Sequence, residues 1–473
     1  MTQSKAALPP ETGPARGFRR HLARLAIDES GVVTGLAIFI FLIILMVGGL
    51  GIDLMRSEMR RTDLQNTLDR AILAAADLDQ DRDPELVVRS YFDATGLTDY
   101  LGSVTVDDGL NYRTVSADAS MTMNTHFMKL AGVDTLTVPA RGTAEERIAN
   151  VEISLVLDIS GSMAGNSRIT NLRAAAKEFV DAVIRPETED LISLSIVPYT
   201  AQVNAGPLIF NELNVNQVHN FSHCIEFYDS EFSTTALDTE RTYNQMQHFE
   251  AGSYYNNPIT NPGCPRRDYE RITAFSQNGS ALKDQIDNLR PRANTSIHLG
   301  MKWGAALLDP SFQPITGALA AGGHVDSEFS GRPAAFNDSE TLKTVILMTD
   351  GENVTTRRIA DHYYDSESEI SHWNRYPLYY YLNNYVSWYY RSGFYYTKYS
   401  AHHADNLLDN ICDAARAQGI VIWSIGFEVT NHGADVMRSC ASSDAHFFRV
   451  EGVEISDAFS AIARQINQLR LTQ

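Results

Sequence analysis

Asp158, Ser160 and Ser162 stand in the run DISGSM as Asp-x-Ser-x-Ser, a carboxylate and two hydroxyls gathered within five residues. Such a group suits oxygen coordination. A hard cation such as Mg²⁺ takes about six oxygen ligands in an octahedron and keeps several waters. Hydroxyls are neutral ligands, so they leave the ion enough charge to accept a carboxylate from another molecule. The same residue types also cap helices, and the pattern arises by composition about once in ten chains of this length. Its position therefore has to carry the assignment. The other chemical groupings are weaker. His219, His223, Cys224 and Cys264 come nearest to a zinc cluster, but in an exported domain the cysteine pair reads as a disulfide. Ser160 and Ser162 lack a glycine-elbow context, and no P-loop or dinucleotide fingerprint occurs, so a binding protein is expected before an enzyme. A metal-dependent hydrolase is the lesser alternative.

The elements that must position the motif are legible. VEISLVL, beginning near Asn150, is the continuous apolar run of a strand covered on both faces. Asp158 ends it. Ile169, Leu172, Ala176, Phe179, Val180 and Val183 then recur at helical spacing. Further strands are expected at Leu191–Tyr199, Thr344–Asp350, Ile420–Phe427 and His446–Val450, with helices around Asp405–Gln418 and Ser456–Leu469. Strand alternating with helix predicts an α/β fold, a Rossmann-like open sheet with helices on both faces. In such sheets ligands bind beyond the carboxyl ends of the strands, where the motif lies.

At this point the sequence resembles the von Willebrand factor A domain, whose metal-ion-dependent adhesion site adds a threonine and an aspartate from two later loops. The matching positions are Thr295 in NTSIHLGMKWG and Asp350 in LMTDGEN, so the resemblance implies a site of Asp158, Ser160, Ser162, Thr295 and Asp350. Mg²⁺ is the expected ion, with Mn²⁺ or Ca²⁺ as substitutes. The resemblance covers about residues 150–470 apart from two insertions, about Gly206 to Arg290 and about Thr355 to His403. Both leave strand carboxyl ends, so both are expected to crown the site. The second holds twelve of the chain's 21 tyrosines, together with Trp373 and Trp388. Those aromatics predict a partner-binding surface, the alternative being an insertion that packs on itself.

Towards the amino terminus, Gly31 to Ile52 is a run of 22 uncharged residues, roughly 33 Å of helix and enough to cross a bilayer. Asp53, Leu54, Met55 and Arg56 follow it where a cleaved signal would show small residues, so an uncleaved span is expected over 31–53. Residues 1–30 read as a cytoplasmic tail, 54–148 as a stalk helix and small α+β module, and 149–473 as the A-like domain. Arginines flank the span equally. The four cysteines all follow it, which favours an oxidising compartment for the bulk of the chain. Pairing of nearest neighbours gives Cys224–Cys264 and Cys412–Cys440.

The whole arrangement, with LQNTLDRAILAAA after the span and NTSIHLGMKWG in the terminal domain, also resembles the TadG-like proteins of the tight-adherence (Flp pilus) assembly system. That resemblance implies an inner-membrane anchor, a periplasmic bulk and protein partners among pilus components or envelope ligands. A net charge of −19 and pI near 5.1 argue against a nucleic-acid partner. The competing placement is a cytoplasmic A-domain partner of an AAA-type ATPase, with the opposite topology.

Overall fold

The computed structural model describes residues 30–472, apart from 78–79, 81, 109–111, 148–149 and 339. The tail expected over 1–30 lies, but for Ser30, outside the described residues. The chain divides between Glu146 and Arg147 into two compact units.

The first unit opens with one helix, α1 (Ser30–Ala76), which runs through the apolar segment and the following polar stretch without a break. Its first part is bare. Among the described residues this is the one helix long and apolar enough to cross a membrane, and Val32 through Val47 expose their large apolar side chains. From Leu64 onward one face is buried instead, with Leu64, Leu68, Ala71, Ile72 and Ala75 at the helical repeat. The alanine-rich end, from Ala71 to Ala76, packs within its own unit. It meets α2 (Pro84–Thr95), β1 (Leu101–Asp108), β2 (Tyr112–Asn124) and β3 (Thr135–Arg147) through Val88, Phe92, Val115 and Val138. Asp83 caps α2 by accepting from the N–H groups of Glu85 and Leu86, Pro84 occupies its first turn, and Gly96 at φ 70° closes it. Asp53 fastens the β2–β3 connection to α1, its carboxylate accepting from the backbone N–H of His126, Phe127 (2.7 Å) and Met128 (2.8 Å).

The second unit is built on a six-stranded sheet. In chain order its strands are β4 (Asn150–Asp158), β5 (Ile192–Tyr199), β9 (Thr273–Ser276), β10 (Thr341–Thr349), β13 (Val421–Phe427) and β14 (Phe447–Val450). The numbers skipped are short strands outside it: β6 (Val215–Asn216), β7 (Ile225–Glu226), β8 (Tyr243–Gln245), β11 (Thr356–Ile359) and β12 (Tyr395–Tyr399). Across the sheet the order is β14-β13-β10-β4-β5-β9. Neighbours are parallel except β9, which pairs antiparallel with β5 at the edge. Two apolar layers cover it, because alternate side chains of a strand face opposite ways. Val151, Ile153, Leu155 and Leu157 of β4 join the layer under α3 (Arg168–Val183), α4 (Gly279–Asn288) and α8 (Glu454–Thr472). Val156 of β4, with Val197, Val345 and Leu347, joins the opposite layer under α5 (Ile297–Ala306), α6 (Ala401–Ala417) and α7 (Asn431–Cys440).

The first excursion is shorter than the span 206–290 read from sequence. β9 and α4 lie inside that span, yet they are the sheet's edge strand and a covering helix, with Leu282 and Ile286 fully buried. Short length and a mixed pattern hid β9 among polar neighbours. The excursion proper is about 206–272, and it shares an apolar core with the second: Cys224, Met246, Phe249 and Cys264 pack with Ile359, Trp373, Leu378 and Leu382. Hydrogen bonds knit the two together, Ile359 N–H to Gln247 Oε1 (2.7 Å), His248 N–H to the Tyr364 hydroxyl (2.7 Å) and Leu378 N–H to the Glu250 carbonyl (2.8 Å). Both expected disulfides are formed, Cys224–Cys264 inside this accessory body and Cys412–Cys440 between α6 and α7.

Candidate metal centre

The chain runs from β4 outward to β5 and β9, then returns to lay β10 on the other side of β4. This reversal of strand order opens a crevice beyond the carboxyl ends of β4 and β10. Register aligns the ends: Met348 pairs with Leu157, and Asp158 with Tyr199 of β5. Asp158 and Asp350 therefore arrive side by side from strands that neighbour in space but not in sequence.

The loops are laced to one another. The Gly161 N–H donates to the Ala293 carbonyl (3.1 Å), Arg292 N–H to the Ile159 carbonyl (2.9 Å), Ser296 N–H to the Thr200 carbonyl (2.9 Å) and Val354 N–H to the Thr295 carbonyl (3.0 Å). Within this frame Asp158 is fully buried and accepts from the Ser160 N–H (2.7 Å) and the Thr349 hydroxyl (2.7 Å). The Ser160 and Ser162 hydroxyls are 2.9 Å apart, and Ser162 donates to Asp350 Oδ1 at 2.6 Å. A Cβ placed on Gly351 would lie 3.8 Å from both Ser162 Oγ and Thr295 Oγ1, so Thr295 looks onto the same spot. All five residues named from the sequence thus meet in one place.

Three further residues act here that the motif does not include. Thr349 holds Asp158 and accepts from the Gly351 N–H (3.2 Å). Arg168, from the first turn of α3, donates to Asp350 Oδ2 (3.0 Å) and, through Nε, to Glu428 (2.7 Å). Thr349 adjoins Asp350 and was reachable from the motif. The Arg168–Glu428 pair spans 260 residues and carries no local signal.

Burial drives the Asp158 carboxyl up to about 7, and the charge of Asp350 adds to the rise. Burial raises Asp350 too, while Ser162 and Arg168 pull it back. Two carboxylates side by side, the buried one raised by the charge of the other, favour a cation nearby. Among the described residues no three His, Cys, Asp or Glu side chains converge. The donor set is instead three hydroxyls and two carboxylates, which fits a hard ion such as Mg²⁺ or Mn²⁺ and does not fit zinc. When bound, such an ion would supply a Lewis-acidic charge for an oxygen of another molecule. The chain's residues would hold it through Ser160, Ser162 and Thr295, with Asp158 and Asp350 balancing its charge.

Residues 31–78 match the sequence family described as "Putative Flp pilus-assembly TadE/G-like". The match covers the apolar segment and the helix beyond it, and it supports a protein of the Tad pilus. No curated protein matches the chain. Solved structures similar to it include the von Willebrand factor domain of the type V pili tip protein Mfa5 from Porphyromonas gingivalis, at 13% identity and a TM-score of 0.34, covering 68% of this chain and 96% of that one. The pilus adhesin SpaC from Lactobacillus rhamnosus GG is 11% identical with a TM-score of 0.34, covering 77% and 33%. The PilB minor pilin from Streptococcus sanguinis is 15% identical with a TM-score of 0.33, covering 79% of each chain. At such scores the fold has to be argued from the sheet itself.

Proposed function

We propose that this chain is a single-pass component of a Tad (Flp) pilus system, anchored in the bacterial inner membrane with its bulk in the periplasm. Its second unit is read as a von Willebrand factor A-like domain that binds a protein partner through a metal-ion-dependent adhesion site. The observation that carries this reading is the convergence of Asp158, Ser160, Ser162, Thr295 and Asp350 from three loops at the reversal of strand order. The TadE/G-like match over residues 31–78 supports the pilus setting and with it a protein partner.

The mechanism follows from the donor set. Ser160, Ser162 and Thr295 would hold the ion through neutral hydroxyls, Asp158 and Asp350 would balance its charge, and the ion would supply the attraction for a carboxylate of the partner. The TadE/G-like match favours a site that binds over one that turns over.

Asp158→Ala tests the assignment. The full chain, purified in detergent, should bind Mn²⁺ in a titration followed by electron paramagnetic resonance, with Mg²⁺ competing. The variant should lose that binding while keeping its circular dichroism spectrum, since the apolar layers that cover β4 do not include the Asp158 side chain. Unchanged Mn²⁺ affinity in a folded variant would reject the site.

A further inference from the structure

Beside the metal loops the accessory body has a half-open cavity of about 220 Å³, lined by Met246 and Phe249 of the first excursion, Thr356, Arg357 and Tyr379 of the second, and Asn294. It adjoins the crevice through the backbone. Asn294 immediately precedes Thr295, the Val354 N–H donates to the Thr295 carbonyl, and Thr356 begins the strand that follows.

Two polar atoms of residues that line it have no hydrogen-bond partner in the structure. Thr356 is 4% exposed and its Oγ1 makes no hydrogen bond; the Arg357 Nε is likewise buried and unbonded. Unsatisfied buried groups of this kind cost about 1–3 kcal/mol each, so a ligand that completed them would be favoured. The two arginines of β11 differ in this respect. Arg358 is neutralised by Glu226, whereas among the described residues no carboxylate lies within ion-pair distance of Arg357. Its guanidinium is held in place instead, one Nη donating to the Tyr379 hydroxyl at 2.6 Å and the Tyr395 ring centroid 5.4 Å from its Cζ. A positioned cation without a counter-ion, next to an orphan hydroxyl and below apolar walls, matches a carboxylate on an apolar stem. The volume is less than the roughly 300–1,000 Å³ of small-molecule sites and suits a single side chain or chain end.

We propose that this cavity is a carboxylate-binding subsite for the protein partner, taking a glutamate side chain or a chain terminus beside the group held by the metal. The pairing of the two sites rests on the metal-site reading above; the cavity itself does not need the ion. An acidic protein can take an acidic peptide in this way because Arg357 and the metal supply the local positive charge.

The test uses the full chain in detergent with EDTA present and three probes followed by saturation-transfer NMR: acetyl-Leu-Glu-amide, acetyl-Leu-Leu with a free carboxylate, and acetyl-Leu-Gln-amide. At least one carboxylate peptide should bind about tenfold more tightly than the glutamine peptide, a difference of about 1.4 kcal/mol. Which one does so identifies the source as side chain or terminus. Arg357→Gln should erase the preference, the near-isosteric Thr356→Val should reduce it at least about threefold, and Asp158→Ala should leave it intact. Equal binding of all three probes, or a preference that survives both cavity substitutions, overturns the proposal. In a second arm, Mg²⁺ should tighten binding of acetyl-Asp-Leu-Glu-amide to the unsubstituted chain. An intact preference in EDTA without any gain from Mg²⁺ supports the cavity and removes the metal reading.

Discussion

At the scale of single residues, Thr349 and Arg168 hold the two carboxylates of the crevice. The Thr349 hydroxyl fixes one Asp158 oxygen while the Ser160 N–H fixes the other, so the carboxylate cannot turn away from the crevice. Groups that orient a ligand commonly change metal affinity 10–100-fold when removed. Thr349→Val keeps the shape of the side chain and should weaken Mn²⁺ binding by about tenfold, with little change in unfolding midpoint, in the same resonance titration. An unchanged affinity would show that Asp158 is held by the backbone alone. Arg168 is already the counter-ion of Asp350, which explains how this carboxylate tolerates burial before any metal arrives. The spacing Asp-x-Ser-x-Ser was legible as a unit because its members are two residues apart. Arg168 and Glu428 were not, since folding alone makes them neighbours.

At the scale of elements, α5 explains the run NTSIHLGMKWG. This helix carries Thr295 at its entrance and lies against β4 and β5, and it approaches closely because Gly300 and Gly304 face the sheet. A Cβ on Gly304 would stand 2.5 Å from Val156 Cγ2, and one on Gly300 would stand 2.7 Å from Tyr199 Cδ1. Both neighbours are fully buried side chains with nowhere to retreat. Gly304→Ala should therefore destabilise the domain by about 1–3 kcal/mol, the usual cost of overpacking, even though alanine is the better helix former. Denaturant unfolding measures this, and a variant as stable as the parent would mean that α5 shifts freely. The disulfides act at the same scale. They close loops of 40 and 28 residues, and chain entropy predicts that each contributes about 4 kcal/mol. Cys412→Ser with Cys440→Ser should lower the unfolding free energy of the second unit by an amount of that order, read from the same denaturant curves.

At the scale of the molecule, the two excursions form one accessory body, in which the tyrosine-rich segment has two kinds of aromatic residue. Trp373, Tyr364, Leu378 and Leu382 are core residues of that body, whereas Tyr385, Trp388, Tyr389 and Tyr390 are 63–78% exposed. The insertion thus both packs on its surroundings and presents aromatics to solvent. Replacing 363–399 by a linker would strip the cover from Met246, Phe249 and the Cys224–Cys264 bridge, so lost function there would be ambiguous. The triple variant Trp388→Ser, Tyr389→Ser and Tyr390→Ser removes only exposed rings. It should keep stability within about 0.5 kcal/mol and Mn²⁺ binding unchanged, while reducing pilus assembly if the aromatics meet a partner. Unimpaired assembly would assign the rings no partner. For the topology, a membrane-impermeant thiol reagent should label the cysteines of spheroplasts only after reduction. Labelling that requires lysis would place the domain in the cytoplasm.

The sequence by itself determined what local patterns encode: the 22-residue apolar run, the buried parallel strands with their continuous apolar residues, and the Asp-x-Ser-x-Ser turn at the end of β4. Each depends on neighbours within a few residues, and periodicity or hydropathy records such neighbours directly. Thr295 and Asp350 came from resemblance to a family, and strand order explains why no local reading finds them: β10 inserts beside β4 although nearly two hundred residues separate their ends. Only the tertiary structure decided that β9 joins the sheet and α4 covers it, that the excursions share one core, and that among the described residues no carboxylate pairs with Arg357. These are facts about which distant segments exclude water together, and a one-dimensional pattern of polar and apolar residues does not record the partner against which each is buried.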